Sequence, residues 1–171
     1  MPQWPHPDGV DEKTVREIVE RREAFSLPTI ERGSGLFPSS VARLSGLDTA
    51  FRDAASAWCV VDLGLAAQWY RAIRMAAGKS VSRVIIEGNI ARNNPIYRSA
   101  IAALLPRAKV FSGTGGGASL GAAILAAAAV EGRTLEDFRG RLNLDMKEVR
   151  KLAVDRRELE RYVNAFLMLL A

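Results

Sequence analysis

The sequence predicts an α/β domain, helix-rich around a small parallel β-α-β core, and three observations carry that reading. Val84, Ile85 and Ile86 form an unbroken β-branched run that stops just short of Gly88, which suits a strand buried on both faces of a parallel sheet. Asn94 and Pro95 then read as an N-cap and first helical residue, and Ile96, Ala100, Ala103 and Leu104 recur at helical spacing until Pro106. A second strand, Ala108 to Phe111, follows within a few residues. Strand, helix and strand at this length predict parallel pairing through a right-handed crossover.

The remaining elements follow in order. Residues 1–10, with three prolines and a glycine, are an irregular lead-in, and 11–171 form one domain. Asp11 caps a helix whose apolar face is Val15, Ile18, Val19 and Phe25, with Glu12/Arg16 and Glu17/Arg21 four apart outside, and the helix ends before Pro28. Residues 26–45 read as a long ordered loop anchored by Leu36 and Phe37, with a short strand at Thr29 to Arg32. Asp48 and Gly78 bracket a helix from Thr49 to Ala77 that Phe51, Trp58, Val61, Leu65, Trp69 and Ile73 bury nearly all round. Within it Gly64 marks a bend or a close crossing. Asp62 has either a function or a capping or arginine partner, and the rarity of buried aspartate favours the partner.

The central unit spans Val81 to Ile86, a turn from Glu87 to Pro95, the crossover helix, the second strand, a glycine loop (Gly115, Gly116, Gly117) and an alanine-rich helix. In an open α/β sheet the turns after the strands lie at its carboxyl edge, where ligands bind. The glycine loop either offers backbone amides to an anion at a helix N-terminus or is simply a flexible entry. Neither P-loop spacing nor a dinucleotide fingerprint is present. Thr134 and Asp137 form a capping box for a short helix through Arg139, residues 142–152 read as extended, and Leu159, Tyr162, Val163, Phe166 and Leu170 make one face of a last helix, 155–170. Two strands alone leave an edge unpaired. That edge is expected to pair with a second copy, a missing N-terminal part, or Thr29 to Arg32.

Composition excludes several function classes. The 171 residues are 49% hydrophobic, enough for one domain that buries roughly 70% of its unfolded surface. One histidine, His6, and one cysteine, Cys59, argue against a His-based triad, a His/Cys metal site and an internal disulfide. The net charge of +5 is interspersed along mixed-sign helices, so no nucleic-acid stripe is predicted. With no apolar run near the ~20 residues of a span and no leader, the expectation is a soluble, cytoplasmic protein without membrane contact.

The run from Val84 through Glu87, Gly88, Asn89 and Arg92 to Asn93, followed by an alanine-rich helix, a strand and the segment from Ala118 to Ala126, resembles the C-terminal half of FGGY-type carbohydrate kinases. The resemblance covers most of the chain from Phe25 onward. It implies the C-terminal part of an actin-like, ribonuclease H-like ATPase domain whose intact enzyme uses ATP and magnesium to phosphorylate a sugar. On it, Gly88, Asn89 and Asn93 contact adenosine, with Gly115, Gly116 and Gly117 nearby, and the helix from Ala118 lies on an interdomain face. Glu87 and Asn89 stand where the commonest pattern has glycines, as in the deoxyketose (fuculose and rhamnulose) branch. The family's phosphate hairpin, catalytic aspartate and sugar-binding domain have no counterpart here, so no catalytic residue or metal ligand is assigned. The chain reads as a truncated or split nucleotide-side part, silent alone, that meets its sugar only through a missing N-terminal part. It would act with a complementing chain or as a homo-oligomer. The alternative is a non-catalytic binding or assembly module that keeps the fold, which Glu87 favours.

Overall fold

Short polar side chains set where the helices begin. A computed structural model describes residues 9, 11–27, 36–38, 44–46, 53–77, 81–113, 117–138 and 145–170. Helix α1 (Glu12–Arg21) starts where Asp11 accepts from the amides of Lys13 and Thr14, and ends at Arg22 in the left-handed region with φ 53°. Its face of Val15, Ile18 and Val19 is buried. Its charges reach across the molecule: Arg150 donates to Glu12 at 3.1 Å, Arg16 to the Ala153 carbonyl at 3.5 Å, and Arg22 to Glu158 at 2.5 Å.

Phe25, expected on the face of α1, instead opens β1 (Phe25–Ser26), which pairs antiparallel with β2 (Leu44–Ser45). Its ring stacks on Tyr162 with centroids 4.9 Å apart, and the Tyr162 hydroxyl donates to the Ala24 carbonyl at 2.9 Å. A strand places the ring there because the chain leaves α1 through the αL residue Arg22. The strand expected at Thr29 to Arg32 lies outside the described residues.

The long helix α2 (Ala54–Ala77) begins later than predicted, because Asp53 accepts from both the amide and the hydroxyl of Ser56 at 2.9 Å. Asp48 and Gly78 lie outside the described residues. Burial runs through the middle, from Ala57 to Ala67, while Met75 is 63% exposed; the all-round burial expected of this helix stops where its packing partners do. Gly64 marks a close crossing. A Cβ there would stand 2.5 Å from the Ser26 carbonyl oxygen, so β1 lies directly on α2.

Strand β3 (Arg83–Ile86) leads through the six-residue helix α3 (Gly88–Asn93) into α4 (Pro95–Leu104) and β4 (Lys109–Gly113). β3 and β4 pair in parallel, with Val84 opposite Val110 and Ile86 opposite Ser112. The predicted β-α-β core is therefore present. β5 (Met146–Glu148), within the segment read as extended, adds antiparallel to β4 and makes the sheet mixed. One edge thus found its partner inside the chain; β3 carries no partner on its other side among the described residues. The expectation that the Val84–Ile86 run is buried on both faces fails. Val84 and Ile86 are buried against the helices, whereas Ile85 is 46% exposed, because α4 covers one face of the sheet.

Helix α5 (Gly117–Glu131) follows β4, and a 3-10 turn (Leu135–Phe138) is held by Thr134, whose amide and hydroxyl both donate to Asp137, at 2.8 and 3.0 Å. The last helix, α6 (Arg156–Met168), is capped by Asp155 and buries Leu159, Tyr162, Val163 and Phe166. The core lies where α1, α2, α4 and α6 meet on one side of the sheet.

Candidate functional site

The predicted turn after β3 is a short helix. Gly88 opens α3 with φ +94°, a left-handed value that glycine adopts without strain, and a Cβ there would meet nothing. The glycine is needed for its dihedral, not for room. Gly88, Asn89 and Asn93, the residues the sequence assigned to the ligand, are all exposed on α3. Gly117 is the first residue of α5. Gly115 and Gly116 lie outside the described residues.

Register brings the remaining pieces together. Ile86 faces Ser112, so the next residues, Glu87 and Gly113, come side by side at the carboxyl edge of the sheet. A Cβ on Gly113 would stand 2.8 Å from Glu87 Oε1, and one on Gly117 would overlap Oε2. The Glu87 carboxylate is thus packed against the end of β4 and the start of α5, in space that only glycines leave. Glu87 is the N-cap of α3 by position but makes no side-chain cap bond.

The α3–α4 junction departs from prediction. Asn94 precedes Pro95 at the N-cap, yet its side chain makes no cap bond; its Nδ2 donates instead to Asp62 Oδ1 on α2. Asp62 Oδ2 accepts from the Tyr97 amide at 3.3 Å. The Asp62 carboxylate, fully buried, therefore caps α4 from a neighbouring helix, which is the capping partner that the sequence favoured for it. Arg98 closes the junction from the other side, donating to the carbonyls of Ala91 and Arg92 at the end of α3, the latter at 2.7 Å. Burial lowers the Arg98 pKa and the Asp62 charge raises it. Burial, and then the Asp62 charge, push the Tyr97 hydroxyl up to about 12, so it stays protonated and can donate.

Two grooves flank α3. One, about 340 Å³, is lined by Leu36, Phe37, Leu65, Gln68, Trp69, Ala72, Ile90 and Tyr97, a mostly aromatic and aliphatic surface suited to a flat apolar ring. The other, about 330 Å³, is lined by Arg92, Arg98, Ser99, Ser112, Gly113, Lys147, Glu148, Val149 and Arg150 and is strongly cationic. Cys59 is buried and its thiol is pushed well up by burial and then by Asp62, so it carries no thiolate. Among the described residues no group of three or more His, Cys, Asp or Glu gathers to hold a metal, and no helix is long and apolar enough to cross a membrane.

Sequence reasoning named residues of α3 and flagged Asp62, but missed Arg98 and the Asn94 link. The one available signal was the doubled asparagine before Pro95, of which only one could serve as a cap.

Residues 5–134 match the family described as carbohydrate kinase FGGY, C-terminal domain. The chain belongs to this family. Its fold is also that of a solved structure, a carbohydrate kinase from Novosphingobium aromaticivorans, at a TM-score of 0.68 and 20% identity over 93% of this chain. The FGGY chain spans 31% of the length of that kinase. No curated protein matches it. At this identity the structural likeness bears on fold, and it agrees with a helix-rich α/β domain around a small sheet.

Proposed function

We propose that this FGGY domain is the nucleotide-side portion of an ATP-dependent carbohydrate kinase, whose intact form moves the γ-phosphoryl group of Mg-ATP to a sugar hydroxyl. The supporting observation is the position of α3. It stands at the carboxyl end of β3 directly after Glu87, whose carboxylate lies against Gly117 at the start of α5, and its Ile90 borders a groove walled by Phe37, Trp69 and Tyr97. Gly88, Asn89 and Asn93 then present the adenosine face, with Gly117 nearby. The adenosine half of ATP fits such an apolar groove beside exposed amides. Phosphates fit less well while the Glu87 carboxylate stands at Gly113 and Gly117, since like charges repel. Magnesium and the phosphates are assigned to the intact enzyme, where the metal neutralises charge on the transferring group. The sugar is met through the remainder of that enzyme. The apolar face of α5, where Leu125 is 58% and Val130 87% exposed, is proposed to meet a complementing part or a second copy.

Calorimetric titration with adenosine and, separately, Mg-ATP tests this. Weak binding of both, lost in Asn93→Ala, is the expected result, and the chain alone should phosphorylate no sugar. Absence of heat from either ligand would remove α3 as a nucleotide site.

A second reading, a non-catalytic binding or assembly module, is favoured by the same Glu87. Glu87→Gly separates the two. A gain in Mg-ATP affinity would mark a site that Glu87 has closed, whereas a loss would mean that the carboxylate takes part, accepting from ribose hydroxyls.

A further inference from the structure

We propose that Asp62 is the positioning residue of the candidate nucleotide site: through Asn94 and the first turn of α4, its buried carboxylate fixes the placement of α3. The inference rests on the nucleotide reading given above for α3, and it begins from solvation. A carboxylate with no exposed surface needs donors in place of water. Among its donors are Asn94 Nδ2 and the Tyr97 amide, both on the segment that carries α3 into α4. The Tyr97 amide is one of the free N–H groups of a helix N-terminus, where a negative charge is favoured. Asp62 thus performs on α4 the task that Asn94, by position, would otherwise perform.

α3 itself has six residues, too few to hold a helical conformation by its own hydrogen bonds. Its buried contact is Ala91, and its last carbonyls, Ala91 and Arg92, are held by Arg98. Arg98 projects from the opening turns of α4, the segment that Asp62 fixes, and feels the Asp62 charge. The chain of contacts runs from α2 through Asp62 to Asn94 and α4, and from α4 through Arg98 back to α3. Asn93, which the nucleotide reading places on adenosine, is the residue next to Asn94. Loss of the carboxylate should therefore loosen the site before it loosens the core.

The test compares Asp62→Asn with the swapped pair Asp62→Asn/Asn94→Asp, which returns one carboxylate and one amide to the junction. Amide hydrogen exchange is read over residues 90–98 and, as an internal reference, over 159–166 of α6; adenosine affinity is read by calorimetry. In D62N, exchange over 90–98 is expected to rise about tenfold or more while the α6 segment keeps its rate. Adenosine affinity should fall about tenfold, and the swap should recover both. An even rise across both segments, no rise at all, or a swap that restores thermal stability without restoring 90–98 would each overturn the proposal. If D62N does not fold, Arg98→Met reads the same chain one step on. Faster exchange confined to 90–93 supports the proposal, and unchanged exchange there overturns it. Should the unaltered chain bind no adenosine, the nucleotide reading fails, and the exchange measurement still decides the role of Asp62.

Discussion

Helices α2 and α5 are built from similar residues and meet opposite fates. Both are alanine-rich and apolar over most of their length. In α2, Val60, Leu63 and Ala67 are at most 1% exposed. In α5, Ala128 is buried while Leu125 and Val130 stand in solvent. The difference is what faces them. Among the described residues α2 lies against α1, β1, α4 and α6, whereas α5 packs chiefly against the 3-10 turn at Leu135–Phe138. Apolar composition sets what a helix is able to bury, and a facing surface decides whether it does.

The largest effect should come from equivalent truncations in the two helices. Leu63→Ala removes a side chain packed on every side and should cost about 2–5 kcal/mol. Leu125→Ala, on the exposed face of α5, should stay within about 0.5 kcal/mol. Denaturant unfolding at low protein concentration measures both. A cost at Leu125 comparable to that at Leu63 would break the comparison, because it would mean that a second copy covers α5 in solution.

A pair of glycines sharpens it further, with smaller effects of opposite sign. A Cβ on Gly64 of α2 would meet the Ser26 carbonyl oxygen and the backbone of β1 at 2.5 Å, whereas one on Gly121 of α5 would meet nothing. Gly64→Ala should therefore destabilise by about 1–3 kcal/mol through overpacking. Gly121→Ala should stabilise by about 0.5–1 kcal/mol, since alanine loses less chain entropy on forming a helix. A neutral Gly64→Ala would show that β1 can move away from α2.

How far these features were legible in the sequence follows the range over which each is decided. Caps set within one turn, at Asp11 and the Thr134–Asp137 pair, were read correctly from spacing alone, as were Val15, Ile18 and Val19 on the face of α1 and Leu159, Tyr162, Val163 and Phe166 on that of α6; Asp155 was read as the first residue of its helix and is its cap. The start of α2 was misplaced because Asp53, bonded to Ser56 three residues on, opens the helix at Ala54 and was passed over as a cap. The Val84–Ile86 run was read as doubly buried because β-branched continuity says nothing about which helices cover a sheet. At the candidate site, the residues of α3 were named but its helical form was not, since six residues carry no periodic signal. The Asp62–Asn94 bond spans 32 positions, and the closeness of Glu87 to Gly117 depends on the register of β3 against β4. Contacts of that kind leave no trace in local spacing.

The smallest effect concerns how α2 is started. Asp53 accepts from the amide of Ser56 and from its hydroxyl, and these bonds, the backbone one first, hold its carboxyl below the usual range. Removing such a cap in Asp53→Ala should cost about 1 kcal/mol. The sign of its pH dependence follows from the direction of the shift. A carboxyl whose pKa is lower folded than unfolded stabilises the fold above its unfolded value. That advantage is lost as the pH falls through the unfolded value and then the folded one. The stability difference between the unaltered chain and Asp53→Ala should therefore be full above about pH 5 and shrink steadily below it. Thermal unfolding of both proteins across that range measures the difference. The absence of a difference at every pH would assign the start of the helix to the Asp53 backbone carbonyl, which accepts from the Ala57 amide at 3.1 Å and would survive the substitution. In that case α2 would owe its start to the packing that distinguishes it from α5, not to its cap.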